Sequence, residues 1–187
     1  SSREPDKYFN SEEYGVLMNE LPKLGVKYVS VSGGGDPFLS KATPNLIELA
    51  VLNGVNVRIV THGNFLPAKS LEDLAMCEEI RFSIDTPNQS TYSQVRHVAP
   101  QMHERTLDNI KQLLQARQRV NGRVNIGATF IIGEINKLQA YEFAQLMLGE
   151  IGIDTVIYKY DIYDQFKVSE ENDLLLTQQL ESAQRDF

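Results

Sequence analysis

Five short runs rich in valine and isoleucine, each followed by a stretch with helical spacing, limit what this chain can fold into. The runs are Val26 to Ser32, Val55 to Thr61, Glu79 to Asp85, Arg123 to Ile132 and Thr155 to Ile162. Strands joined through helices run parallel, with right-handed crossovers. Their Val and Ile content suits a sheet covered on both faces. A helix from Asn10 to Leu24 precedes the first run. Asn10 and Glu13 have capping-box spacing, and Tyr14, Leu17, Met18 and Leu21 form one apolar stripe. Thr43-Pro44 reads as a capping hydroxyl with proline at the first helical position. Ser70 is the expected cap of a short helix over Leu71 to Met76. The spacing predicts further helices over Met102–Val120 and Leu138–Ile151, and one after Ser169, with a half-turn of helix expected at Tyr92 to Arg96.

Two architectures fit that order: an open doubly wound sheet, or part of a βα barrel. The leading helix has no strand before it, whereas a barrel unit begins with one. The expected fold is therefore α/β, a partial TIM-type (β/α)6 barrel with parallel strands, its first strand and loop missing. The chain opens on a polar stretch, SSREPDKYFN, that reads as the tail of a loop, so a piece of a longer protein is expected. On this view the Val26–Ser32 strand has an unpaired edge or borrows a partner.

At 187 residues and 42% apolar content, one domain with an ample core is expected. A net charge of −7 speaks against a nucleic-acid surface. No apolar run reaches the roughly 20 residues a membrane helix needs. No signal-peptide pattern opens the chain, so the expected location is the cytoplasm. Cys77 is the single cysteine, which rules out an intrachain disulfide or a multi-thiolate metal site within the chain. It reads as a small buried hydrophobe.

The first run ends in YVSVSGGGDPFL, residues 28–39. Three consecutive glycines permit backbone angles that side chains forbid and let a ligand approach the main chain. The carboxyl ends of parallel strands are where such folds place their chemistry. Collected there are Ser32 to Asp36, then Thr61, His62 and Asn64, then Ser83 and Asp85, with Thr129, Lys159, Tyr160 and Asp161 on the last two strands. Hydroxyls and carboxylates dominate. A phosphate pocket wants more positive charge, and GGGDP is neither GxGxxG nor a P-loop. Each residue also has a plain structural reading: Asp85 as a turn residue before Thr86-Pro87, Ser83 bonded to a neighbouring main chain, His62 capping a turn, Lys159 laying its stem along a wall. His97 and His103 read as surface residues. No nucleophile–base set can be assembled. The residues alone reach an α/β site for a polar small molecule, held by backbone and hydroxyl contacts.

VSVSGGGDPFL, VRIVTHGNFL and IRFSIDTPNQSTYSQVRH, in that order, resemble the core of radical S-adenosylmethionine enzymes. In that family the second strand ends in a Gly-Gly-Glu-Pro-like turn and the third often in Thr-Asn-Gly. The fourth reads Ser-hydrophobic-Asp, with Tyr-x-x-x-Arg later. The resemblance implies that Gly33, Gly34, Gly35 and Asp36 hold the methionine ammonium of S-adenosylmethionine, through backbone carbonyls more than the short Asp36 carboxylate. It implies Ser83 for the ribose hydroxyls, Thr61 and Asn64 in the third-strand turn, and Arg96 for the methionine carboxylate. It places the Asn125–Thr129 stretch beside the adenosine and Ile157–Lys159 near the adenine. His62, Asp85, Lys159, Tyr160 and Asp161 are the implied substrate-facing residues.

The family's CxxxCxxC loop, whose thiolates hold a [4Fe–4S] cluster, has no counterpart here. The implied cofactors are S-adenosylmethionine and that cluster, with the cluster's ligands absent from this chain. In an intact parent, cluster and ligand would generate a 5′-deoxyadenosyl radical that takes hydrogen from a small-molecule or peptide substrate, fed by an electron donor. This chain alone is expected to be inactive, and no metal ligand is assigned in it. Two other readings remain: an aldolase-like barrel with Lys159 as Schiff-base lysine, and a non-catalytic barrel that binds S-adenosylmethionine or a partner.

Overall fold

A computed structural model describes residues 10–160 and 170–187. The expected site residue Asp161 and the expected cap Ser169 lie outside the described residues. The elements alternate as α1 (Ser11–Glu20), β1 (Tyr28–Val31), α2 (Thr43–Leu52), β2 (Asn56–Thr61), α3 (Leu71–Ala75) and β3 (Glu79–Ser83). There follow α4 (Gln89–Arg96), α5 (Gln101–Arg119), β4 (Asn125–Ile132), α6 (Ala140–Ala144), β5 (Thr155–Tyr160) and α7 (Glu170–Asp186). The five strands form one parallel sheet in the order β1-β2-β3-β4-β5. The sheet is unclosed, and among the described residues β1 pairs with β2 alone.

The core shows why the barrel arrangement holds and the doubly wound one does not. Along β2 and β3 burial alternates: Val57, Ile59, Ile80 and Phe82 are buried, while Arg58, Val60, Arg81 and Ser83 are not. The buried set packs with Leu46, Ile47 and Ala50 of α2 and Ile110 and Leu113 of α5 in a single cluster. Along β2 and β3 the helices therefore cover one face of the strands. Their Val and Ile content does not mean coverage on both faces, because in β1 to β3 the second face stays part-open. Phe130 of β4 continues the covered face, 5.0 Å from Phe143 and 5.5 Å from Tyr158 between ring centroids. Burying each such side chain contributes about 2 kcal/mol.

Local structure follows local chemistry at α1. Asn10 Oδ1 accepts from the amides of Glu12 and Glu13 while Glu13 accepts from the Asn10 amide, completing the capping box. Thr43 does not cap α2. Its hydroxyl donates to the Pro37 carbonyl at 2.7 Å, tying the turn after β1 to the helix. Ser70 makes no cap bond either; it ends a 3-10 turn, Ala68–Ser70, and is buried. The half-turn expected near Tyr92 is a two-turn helix, α4, capped by Asn88 through the Thr91 amide. Beyond Ala144 the expected helix widens into a π-helical segment, Gln145–Ile151.

Candidate functional site

The carboxyl rim begins with the glycines. Gly33, Gly34 and Gly35 have φ of 86°, 61° and 141°. A Cβ added to any of them would meet nothing within 4 Å. The backbone conformation demands glycine here, and the main chain faces open space. Among the described residues no hydrogen bond ends on their carbonyl oxygens.

Asp36 turns back into the fold. Its Oδ1 accepts from the Phe38 amide at 2.9 Å. Its Oδ2 accepts from the Thr61 hydroxyl and the His62 amide, both at 2.7 Å. The Asp36 side chain is 4% exposed, so both carboxylate oxygens are consumed inside the protein. Thr61 Oγ1 accepts in turn from the Gly63 amide at 2.9 Å. Asp36 and Thr61 thus build the rim by joining the β1 and β2 loops.

Between these loops lies a crevice of about 290 Å³, lined by Gly33, Gly34, Gly35, Asp36, Val60, Thr61, His62 and Ser83. Ser83 ends β3 opposite Thr129 of β4, on the part-open face. The His62 ring is half-exposed, with Nδ1 3.9 Å from Asp36 Oδ2. A second cavity of about 650 Å³ lies on the other side of the glycines, bounded by Asn10, Tyr14, Lys41 and Thr43.

Farther along the rim a third cavity, about 450 Å³, is lined by Asp85, Arg96, His97, Ile131, Gly133 and Asn136. Asp85 is no self-bonded turn residue. Its Oδ1 accepts from the Ile131 amide at 2.8 Å, and its Oδ2 is ion-paired with Arg96 Nη2. Asp85 has φ 65°, and its carbonyl accepts from Asn136 Nδ2 at 2.7 Å. Burial pushes its carboxyl above the usual range, against the opposing pull of Arg96, the Ile131 amide and His62.

Other residues named from the sequence lie elsewhere. Asn64 is buried, and its Oδ1 accepts from Thr106 of α5 at 2.9 Å, so it fastens the β2 loop to a helix. Asn125 is a correction. It starts β4, level with Glu79 at the amino end of the sheet, and accepts from Thr155 Oγ1 at 3.2 Å. Lys159, opposite Ile131, takes the face of Ser83 and Thr129, whereas Tyr160 takes the helix-covered face. Lys159 is exposed, without the burial that makes an amine nucleophilic. His103 is not a surface residue: it is buried, Nε2 lies 3.3 Å from the Thr86 carbonyl, and burial holds its pKa down.

Sequence reasoning missed Asn136. Its Oδ1 accepts from the Gly133 amide at 2.7 Å while Nδ2 donates to the carbonyls of Asp85 and Ile131. The available signal was an asparagine three residues after the glycine that closes a strand.

The residues present do not fit an iron–sulfur cluster. Cys77 is buried, its thiol pushed up to about 12 chiefly by burial. Among the described residues no three His, Cys, Asp or Glu side chains gather as metal ligands. The glycine carbonyls and Ser83, by contrast, fit a ligand bearing an ammonium and vicinal hydroxyls.

The fold, a partial parallel α/β barrel, is similar to the solved structures of several radical S-adenosylmethionine enzymes. It superposes on SuiB of Streptococcus suis bound to its precursor peptide SuiA with a TM-score of 0.70 at 19% identity, covering 99% of this chain and 42% of that one. A radical SAM methyltransferase from Sphaerobacter thermophilus gives 0.57 at 15% identity, over 94% of this chain and 55% of that one. In sequence it is similar to a protein named "Probable GTP 3′,8-cyclase" from Methanocaldococcus jannaschii, 29% identical over 112 residues. That match covers 58% of this chain and 36% of the relative. The matches span 36% to 42% of the length of the curated relatives. No family model matches the chain.

Proposed function

We propose that this chain is the S-adenosylmethionine-binding core of a radical enzyme. The carbonyls of Gly33, Gly34 and Gly35 receive the methionine ammonium and Ser83 meets the ribose, while Arg96, on the neighbouring cavity, is the cation proposed for the carboxylate. The observation that carries this reading is the row of glycines that lines the same crevice as Ser83 and whose carbonyls take no hydrogen bond among the described residues. Asp36 and Thr61 hold the two loops at their spacing without spending a ligand contact. S-adenosylmethionine held there would bring radical chemistry to the site, and the part of this chain's residues is to bind it and orient it. Cys77 is buried and does not serve as a cluster ligand, so no thiolate of this chain holds a cluster.

The substrate is a small molecule or a peptide, facing His62 and Lys159 on the part-open side of the sheet. The cyclase relatives and the peptide-bound SuiB favour those two classes. An electron donor completes the intact system.

The test is equilibrium dialysis with S-adenosylhomocysteine, which needs no cluster. Saturable binding is expected, weakened about tenfold in Ser83→Ala, the loss of one or two hydrogen bonds. Absence of saturable binding would sink the reading.

A further inference from the structure

We infer that Asp85 is the residue that positions Arg96, so that this carboxylate sets how strongly the site selects ligands carrying a carboxylate of their own. The inference rests on the S-adenosylmethionine reading above and goes beyond it. There Arg96 is a binding group; here a second residue decides whether it is aimed.

Asp85 is fixed from three sides. Its Oδ1 accepts from the Ile131 amide, its carbonyl accepts from Asn136, and its side chain is 3% exposed. It keeps a φ of 65°, a conformation that disfavours side chains other than Asn and Asp and persists when the surroundings enforce it. Arg96 is the last residue of α4, next to His97, whose φ of 54° ends the helix. Among the described residues Asp85 is the ion-pair partner of its guanidinium.

The guanidinium is engaged but not used up. Nη2 contacts Asp85 Oδ2, yet Nε and Nη2 are buried without an aligned hydrogen-bond acceptor. Both side chains line the same cavity. With Nη2 anchored on Asp85 and Nε buried, Nη1 is the nitrogen left uncovered, and an arginine held in this way is arranged to take a second carboxylate in a fixed orientation. Had Asp85 been present only to neutralise Arg96, an aligned two-point pair would serve better. The residues charged or titratable around the pair are His62 from the β2 loop, His97 at the end of α4 and Glu134 from the β4 loop.

The experiment compares two nucleosides on the purified protein: S-adenosylhomocysteine, which has the carboxylate, and 5′-methylthioadenosine, which does not. Asp85→Asn is suited to it. Asparagine tolerates the left-handed backbone and still accepts from Ile131, but loses the charge facing Arg96. Wild type is expected to favour S-adenosylhomocysteine, and Asp85→Asn to cut that preference about tenfold. Affinity for 5′-methylthioadenosine should stay within about twofold, which separates positioning from general damage to the fold. Arg96→Gln should remove the carboxylate's share of the preference, leaving the share owed to the ammonium, and Asp85→Asn added to it should change nothing more.

A preference unchanged in Asp85→Asn overturns the inference while leaving the binding reading intact. A preference that rises does so too, since Asp85 would then be repelling the ligand's carboxylate. If wild type binds neither nucleoside, the binding reading itself fails and the inference falls with it.

Discussion

The Thr61 hydroxyl donates to Asp36 Oδ2 at 2.7 Å, joining the loop that leaves β1 to the loop that leaves β2. The same oxygen takes the His62 amide, and the other takes the Phe38 amide. A buried carboxylate with three donors organises the rim from within. Changing it leaves buried amides without a partner, which costs more than the bonds contributed.

Asp36→Ala should lower unfolding free energy by about 3 kcal/mol, and Thr61→Val by about 1 kcal/mol, in urea titrations. Full stability in Asp36→Ala together with lost nucleoside binding would show that the carboxylate serves the ligand instead.

The glycines of the rim separate two causes of glycine. At Gly63, φ is 79° and a Cβ would come 2.6 Å from Phe82 and 3.0 Å from Thr106. Gly63→Ala should therefore cost about 3 kcal/mol, from overpacking and backbone strain together. At Gly34 the space is open, so Gly34→Ala should cost about 1 kcal/mol of backbone strain. Its larger effect should be on S-adenosylhomocysteine affinity. Thermal melts and dialysis on the same two variants read both.

Cys77 gives a test at alkaline pH. The native thiol titrates at about 12, the unfolded one at its ordinary value of 9.0. Above that lower value the unfolded chain sheds its proton first, so stability declines as pH rises through 9 towards 12. Cys77→Ala should abolish this contribution. At pH 8 the native protein should resist iodoacetamide and react only after denaturation.

His103 acts at the other end of the scale. Burial lowers its pKa from 6.5, and its ring packs 5.2 Å from that of Tyr92. The unfolded chain therefore takes up the proton first on acidification, and stability is lost as pH falls through 6.5. His103→Gln should flatten that part of the profile in urea titrations between pH 7 and pH 5.

Much of the fold was legible because periodicity reports burial directly. All five strands and the long helix α5 follow from it, as does the cap at Asn10. The one-sided covering was not legible. Val57, Ile59 and Val60 look alike as letters, and only the sheet's failure to close leaves Val60 exposed. α4 was read too short because QSTYSQVR carries a single strong apolar anchor, Tyr92. In the candidate site the glycines, Asp36, Thr61 and Ser83 were legible as a rim. What Asp36 binds was not, since its partners lie 25 and 26 residues away. The Asp85–Arg96 pair was hidden in the same way, its geometry depending on a turn at Asp85 and a whole intervening helix. Asn125 was misplaced because its strand was treated as a unit, although only its carboxyl end reaches the rim.

The sheet order gives the two walls of the crevice unequal stiffness. Ser83 stands on the middle strand, laddered on both sides, while Gly33 to Gly35 follow the outermost strand, laddered on one. A ligand entering between them meets one immovable jaw and one compliant jaw. Adjustment to different guests should therefore be concentrated in the glycine turn, with Ser83 as the stationary reference.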